Sequence, residues 1–86
     1  MQIIEGMIVK SKSGHDKDRY YLVVSCDDSV AYISDGKRRK LDKPKAKNYK
    51  HLQPTTHLVD VTLYTTDKKI RNLLWQWNYS DQAVIN

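Results

Sequence analysis

The sequence has one cysteine, two prolines, three glycines and no phenylalanine among its 86 residues. A single thiol, Cys26, excludes an internal disulfide framework and a zinc site built from cysteine pairs. His15, His51 and His57 are scattered along the chain without metal-ligand spacing, so we expect no metal and no cofactor. Because Cys26 ends an apolar run, we expect its thiol to be buried and unreactive.

Long apolar runs are also missing. No stretch approaches the ~18 apolar residues that a membrane-spanning helix needs, and residues 1–6 lack the basic start and apolar run of a secretory signal. The chain contains neither a glycine-rich phosphate loop nor a nucleophile with an acid–base partner. These absences predict a cytoplasmic protein that is not an enzyme, with no membrane partner and no small-molecule substrate.

Charge is abundant and unevenly distributed. Residues 37–50 hold eight basic residues and one acidic residue, whereas residues 1–36 carry a net charge of −2 and residues 51–86 are neutral. The whole excess of +5 therefore comes from one segment. Clustered cations indicate a polyanion site, because each one held near a phosphate releases a condensed counterion. The alternative is a solvated surface that only keeps the protein soluble, although such surfaces usually mix both signs.

Short runs of β-branched and aromatic residues predict strands at 7–12, 19–26 and 30–34, with a turn at 27–29. Asp35 and Gly36 form a dipeptide typical of a type I′ hairpin turn, which predicts a fourth strand within residues 37–41. A fifth strand is predicted over 47–52, and residues 58–63 fit either a strand or an extended linker. Alternation places Tyr20 and Tyr21 on opposite faces, one in the core and the other exposed. The strand spacing favours a mostly β fold, a small closed barrel.

The last third of the chain has a helical pattern. Ile70, Leu73, Leu74 and Trp77 are spaced i, i+3, i+4, i+7, which predicts an amphipathic helix over 67–78 that packs on the barrel. Trp75 lies outside this stripe, and it either contacts a protein partner or covers the barrel edge. We expect a barrel of residues 1–54, followed by a linker and helical extension of residues 55–86, within a single compact unit.

Two segments resemble a known family. Residues 6–24, GMIVKSKSGHDKDRYYLVV, resemble a KOW motif, in which a polar loop with glycine and a basic residue joins two strands. Residues 35–52, DGKRRKLDKPKAKNYKHL, resemble small bacterial KOW-domain RNA-binding proteins, which are similar to a class of eukaryotic and archaeal large-subunit ribosomal proteins. Asp18 stands where the family usually has a second glycine, although aspartate also tolerates a left-handed backbone. The resemblance implies an SH3-like barrel that binds ribosomal RNA and has no catalytic activity.

The candidate RNA contacts come from the loop between the first two strands and from the basic segment. They are Lys12, His15, Lys17, Arg19, Lys37, Arg38, Arg39, Lys40, Lys43, Lys45, Lys47, Tyr49, Lys50 and His51. Arg38 and Arg39 suit forked phosphate contacts or stacking beneath a base, and the lysines act as point charges. Tyr49 and His51 either stack on bases or point one ring into the core.

The turn residues have a structural interpretation. Gly14, Asp35 and Gly36 are expected to shape turns, and the loop of residues 14–19 is either a phosphate-binding loop or a plain hairpin turn. The sequence thus predicts an RNA-binding module of ribosomal type. The alternative is a protein-interaction adaptor in transcription or translation, whose basic segment meets an acidic surface of a ribosomal or transcription protein.

Overall fold

Five antiparallel strands form one sheet, and a C-terminal helix packs on one of its faces. The computed structural model describes residues 2–85, with side chains described as far as residue 79. The elements are β1 (Met7–Ser11), β2 (Tyr20–Cys26), β3 (Val30–Ser34), β4 (Lys45–Asn48), β5 (Leu52–Leu58) and the helix α1 (Asp67–Ile85). Single 3-10 turns cover Gly14–Asp16, Tyr49–His51 and Val61–Leu63.

The sheet is open. Its strand order is β4-β3-β2-β1-β5, and all neighbouring strands are antiparallel. In the part of the chain that the structure describes, β4 pairs only with β3 and β5 only with β1, so the predicted closure of the barrel is wrong. Irregular register between Met7 and Val9, and between Val23 and Ser25, marks bulges that increase the local twist of the central strands.

The central strands bury side chains on both faces. Val9 and Tyr21 are register partners in one apolar cluster, which lies on one face of the sheet and includes Ile3. Ile8 and Leu22 are register partners in a second cluster on the opposite face, beneath the helix. The two tyrosines lie on opposite faces as predicted, and Tyr21 is the buried one, but the second is not exposed. Tyr20 is half-buried because Trp77 covers it, with ring centroids 5.3 Å apart.

The predicted helical stripe is confirmed. Ile70 and Leu74 are buried, and Leu73 and Trp77 pack beside them against the sheet. The predicted span of 67–78 matches the regular part of α1, because Tyr79 has non-helical torsions of φ −131° and ψ 18°. No helix in the described range combines the length and the apolar character that crossing a membrane requires.

The predicted fourth strand at 37–41 is wrong. Backbone N–H groups of Lys37, Arg38 and Arg39 all donate to the Asp35 carboxylate, so none of them is available to a strand ladder. Gly36 does have the expected positive φ, +74°, but it begins a long loop between β3 and β4 and not a tight hairpin turn. We call residues 35–44, which connect β3 to β4, the basic loop. The cations of this segment are therefore presented mainly by a loop.

Three further predictions need correction. The predicted strand at 47–52 is interrupted by the 3-10 turn Tyr49–His51, which separates β4 from β5. β5 then continues through residue 54 to Leu58, so the strand crosses the expected end of the barrel segment, and residues 61–63 form a 3-10 turn. Cys26 is exposed, because β2 runs beyond the apolar cluster before it ends.

Replacing Gly36 by alanine tests how closely the basic loop packs on the helix. A Cβ at Gly36 would lie 2.2 Å from the Asp67 carbonyl oxygen, whereas a Cβ at Gly14, which has the same φ, would meet only the Lys47 side chain at 3.5 Å. We expect Gly36→Ala to lower the free energy of unfolding by about 2–5 kcal/mol, and the control Gly14→Ala by about 1–2 kcal/mol. Urea denaturation measures both, and equal losses would contradict this packing.

Candidate functional site

The basic loop is organised around one buried carboxylate. Asp35 is 3% exposed, and its Oδ1 accepts hydrogen bonds from the backbone N–H groups of Lys37 (2.9 Å), Arg38 (3.0 Å) and Arg39 (2.9 Å). The Ser34 hydroxyl donates to the Arg39 carbonyl oxygen at 2.7 Å, which closes the loop. Because the backbone is held from inside, the side chains of Lys37 and Arg38 extend into solvent.

The helix anchors this loop from the other side. The Asp67 carboxylate, at the start of α1, accepts a hydrogen bond from the Leu41 backbone N–H at 2.7 Å. One turn later, Arg71 Nη1 donates to the Gly36 carbonyl oxygen at 2.8 Å. Both ends of the loop's first half are thus attached to the first two turns of the helix, so the loop and the helix form one unit.

Asp16 is the second buried acid of the site. Its carboxylate accepts hydrogen bonds from the Tyr21 hydroxyl at 2.7 Å and from Arg39 Nη2 at 3.1 Å, and Lys47 Nζ lies 3.9 Å away. Burial by itself would raise the pKa of Asp16. The two hydrogen bonds and the charges of Arg39 and Lys47 outweigh burial and lower the pKa below its ordinary value. Burial and the neighbouring Asp16 raise the pKa of Tyr21.

Two of the predicted RNA contacts therefore have internal partners. Arg39 pairs with Asp16, and Lys47, whose side chain is only 10% exposed, also donates to the Ser13 carbonyl oxygen at 3.1 Å. These contacts bring the Gly14–Asp16 turn against the basic loop and β4. The predicted role of Arg39 as a leading phosphate contact needs correction, because an internal carboxylate already occupies one side of its guanidinium group.

A basic groove remains on the surface of the loop. It encloses about 560 Å³ and is lined by Arg38, Arg39, Lys40, Asp42, Lys43, Pro44 and Lys45. The side chains of Arg38, Lys40, Lys43 and Lys45 are exposed and form no ion pair within the described residues. Asp42 is the one acid in the lining, so the groove presents a strongly positive surface that attracts polyanions.

The other predicted contacts fall into two groups. Lys12, His15, Lys17 and Lys50 are exposed and His51 is half-buried. The Lys12 backbone N–H donates to the His51 carbonyl oxygen at 2.8 Å, which joins the β1–β2 loop to the turn before β5. Because Lys47 in β4 contacts the same β1–β2 loop, these residues extend the positive surface beside the groove.

Tyr49 and Arg19 do not belong to this surface. Tyr49 is half-buried against the apolar cluster of Ile3 and Leu52, and its hydroxyl donates to the Asp27 carbonyl oxygen. Of the two predicted alternatives for Tyr49, the structure has the ring in the core, next to an acidic turn, and not exposed for stacking on bases. Arg19 Nη2 donates to the Tyr79 hydroxyl at 3.1 Å, so Arg19 faces the helix.

Sequence reasoning singled out Trp75 but missed Tyr79, which packs on it where the helix faces the loop. Trp75 and Tyr79 are four positions apart, a spacing that places side chains together on a helix, and their ring centroids are 4.6 Å apart. Trp75 is 57% exposed, so it does not cover an edge of the sheet. Within residues 2–85, no group of three or more His, Cys, Asp or Glu side chains is arranged to hold a metal ion.

No protein-family model matches the chain, and no curated protein is significantly similar to it in sequence. Its function must therefore be inferred from the residues and their arrangement. The most distinctive chemical feature is the basic groove. Its exposed cations lie on a loop whose backbone N–H groups donate to the carboxylates of Asp35 and Asp67.

The lowered pKa of Asp16 predicts how stability depends on pH. Its ionised form stabilises the folded state fully above the unfolded pKa of about 3.9, and this contribution is lost as pH falls through the lower, folded value. We expect Asp16→Asn to lower the free energy of unfolding at pH 7 by about 1–3 kcal/mol. This is less than for a fully buried pair, because the Arg39 side chain is 32% exposed. Urea denaturation between pH 2 and pH 7 should show a shallower acid-side decline for the variant.

Asp28→Asn serves as the charge-matched control for that experiment. Asp28 is exposed in the turn between β2 and β3, and it forms no hydrogen bond in the described part of the chain. We expect this variant to change the free energy of unfolding by less than about 0.5 kcal/mol. An Asp16→Asn protein as stable as Asp28→Asn would contradict the role of Asp16 as an internal anchor.

Proposed function

We propose that this protein binds structured RNA of ribosomal type, with the phosphate backbone lying in the basic groove. The observation that carries the proposal is the charge that remains after internal pairing. Of the eight basic residues in 37–50, Arg39 and Lys47 pair with Asp16, and six stay exposed. The exposed six are Lys37, Arg38, Lys40, Lys43, Lys45 and Lys50.

The rigidity of the basic loop also favours this function. A loop whose backbone is already ordered by Asp35 and Asp67 loses little conformational entropy when its side chains meet phosphates. Phosphate contacts give position and orientation, and they carry no direct sequence information. The groove is therefore suited to recognising the shape and backbone of a folded RNA.

The distribution of acids supports one orientation on a polyanion. Asp27 and Asp28 lie in the turn between β2 and β3, beside a cavity of about 430 Å³ that Tyr49 also lines. Hydrogen bonds from the backbone N–H groups of Val30 and Ser29 lower the pKa of Asp27 and so favour its negatively charged form. A polyanion is repelled from this turn and attracted to the basic groove.

A KOW-type fold related to SH3-like barrels, with its sheet left open, is part of the same proposal. The element order supports this part of the proposal: β2, β3 and β4 form a meander, and β5 returns after the 3-10 turn Tyr49–His51 to pair with β1. Asp18 has a φ of +70°, the left-handed conformation for which the family pattern uses a second glycine. The departure at this position therefore leaves the backbone of the motif intact, which supports the assignment.

Removing two groove cations should weaken RNA binding and reduce its salt dependence. If about 4–6 phosphates are contacted, the slope of log K against log salt should be roughly −3 to −5. The double variant Arg38→Ala with Lys43→Ala should flatten the slope by about 2 and lower affinity about 10- to 100-fold. Filter binding of purified large-subunit ribosomal RNA at several salt concentrations measures both quantities.

The pair Lys68→Ala with Lys69→Ala is the matched control. It removes the same charge from exposed positions of α1 that do not line the groove. We expect the slope to change by less than half as much as in the groove variant. Equal effects from the two variants would show that net charge, and not the groove, determines binding, and an unchanged slope in the groove variant would reject the site.

Nuclease treatment separates RNA binding from the alternative function, an adaptor that binds an acidic protein surface. In a sucrose gradient of cell lysate, we expect the protein to migrate with large ribosomal subunits at low salt and to be released at high salt. Ribonuclease should move the protein to the top of the gradient. Nuclease-resistant co-migration with a protein would favour the adaptor, and absence from ribosomal fractions at both salt concentrations would argue against a ribosomal RNA.

A further inference from the structure

A second cavity lies where α1 meets the basic loop. It encloses about 360 Å³, and its lining includes Arg19, Asp35, Lys37, Arg71, Trp75 and Tyr79. It adjoins the basic groove, because Lys37 in its wall is followed directly by Arg38 in the wall of the groove. A chain that follows the groove can therefore place one of its units in this second cavity.

One wall of the cavity is aromatic. Trp75 is 57% exposed and packs on Tyr79 with ring centroids 4.6 Å apart and planes tilted by 37°. Tyr79 is held in turn by Arg19, which donates to its hydroxyl at 3.1 Å and lies 5.6 Å from its ring centroid. The indole is thus supported from behind, and its exposed surface is available to a planar ring.

The cavity also contains two polar atoms without partners. Asp35 Oδ2 has no donor and Arg19 Nε has no acceptor within the described residues, although both atoms are buried. Both residues line the cavity. The hydrogen bond with Tyr79 is the main cause of the raised pKa of Arg19, and the charge of Asp35 adds to it. An unmet donor and an unmet acceptor from residues that line one cavity suit a group that can both accept and donate, such as a hydroxyl.

Cations stand at the rim of the cavity. Lys37 is exposed, with Nζ 6.0 Å from the Tyr79 ring centroid, and Arg71 is exposed while one of its nitrogen atoms donates to the Gly36 carbonyl oxygen. The remaining N–H groups of Arg71 and the Lys37 ammonium are available to an anion. The cavity therefore joins a stacking surface, a site for a hydroxyl and a site for an anionic group.

We propose that this cavity binds one unpaired ribonucleotide of the RNA whose backbone lies in the basic groove, an inference that rests on the proposed function. The base stacks on Trp75, the ribose 2′-hydroxyl lies between Asp35 and Arg19, and the phosphate meets Lys37 and Arg71. The 2′-hydroxyl is both donor and acceptor, and DNA lacks it. The cavity thus distinguishes RNA from DNA, which phosphate contacts in the groove do not.

The test compares ribo- and deoxyribo-oligoadenylate of equal length, each labelled and single-stranded, by fluorescence anisotropy with the full chain. We expect the ribo form to bind about 5- to 20-fold more tightly, because the deoxy form leaves two buried polar groups unpaired. Trp75→Ala should weaken binding of both forms about 5- to 100-fold, whereas Trp75→Phe should retain most of the affinity. Equal affinity for the two sugars would overturn the hydroxyl assignment, because a bound water molecule would then satisfy Asp35 and Arg19.

Two further variants address the hydroxyl directly. Asp35→Asn keeps an oxygen for the backbone N–H groups of the loop and places an NH₂ donor at the position of Oδ2. The ratio of ribo to deoxy affinity should fall to about 1, with circular dichroism confirming that the protein stays folded. If Asp35→Asn unfolds, Arg19→Lys removes the Nε donor while keeping the charge, and it should lower the same ratio. A ratio that neither substitution changes would overturn the proposal.

The groove variant separates the two proposals. Arg38→Ala with Lys43→Ala should weaken the ribo and deoxy forms equally and leave their ratio unchanged. If the groove variant weakens RNA binding but Trp75→Ala and the sugar have no effect, the cavity is not a nucleotide site and the groove still binds RNA. If structured RNA does not bind, adenosine monophosphate and its 2′-deoxy form are titrated directly. Selective binding would then support the cavity alone, and no binding would overturn both proposals.

Discussion

The carboxylate of Asp35 holds three consecutive backbone N–H groups of a loop whose side chains repel one another. Without an internal acceptor, those donors would need water, and the loop would spread to separate its lysines. Asp16 acts from the other side by pairing with Arg39. The carboxylates of Asp16 and Asp35 thus lie beneath the positive surface. Their negative charge offsets part of the repulsion among the exposed cations.

The helix links the stability of the fold to the shape of the site. Ile70 and Leu74 pack on the sheet, while Asp67 and Arg71 on the same two turns of α1 bind the basic loop. A disturbance of the helix therefore disturbs the loop as well. This arrangement is possible because the central strands are apolar on both faces. One face packs against the helix, and the other carries a separate apolar cluster.

Some of this architecture could be predicted from periodicity alone. The first three strands and the regular part of α1 have strong apolar patterns, and the structure contains all four. β4 has the sequence KAKN, which lacks an apolar alternation, and it is a strand only because β3 provides a pairing partner. The tight hairpin turn predicted from Asp35 and Gly36 does not form. The Asp35 side chain accepts hydrogen bonds from the backbone N–H groups that the next strand would have used in its ladder.

The candidate site was predictable as a cluster of charge, but its internal pairing was not. Composition locates eight cations in one segment, yet only tertiary contacts show that Asp16, more than twenty residues earlier, pairs with Arg39 and Lys47. The aromatic wall formed by Trp75 and Tyr79 has a local signal in its i, i+4 spacing. The structure adds what the spacing cannot show: Arg19, 60 residues earlier in the chain, donates a hydrogen bond to the Tyr79 hydroxyl and holds the wall in place.

The open sheet has two edges, and their residues discourage pairing between copies of the protein. An unpaired edge strand offers a row of backbone hydrogen-bonding groups to any other strand it meets. β4, at one edge, is short and carries the exposed Lys45, so a second β4 would bring like charges together. β5, at the other edge, contains Pro54, which has no N–H to donate. The positive charge of β4 thus also disfavours edge-to-edge aggregation between copies, and this effect does not depend on any ligand.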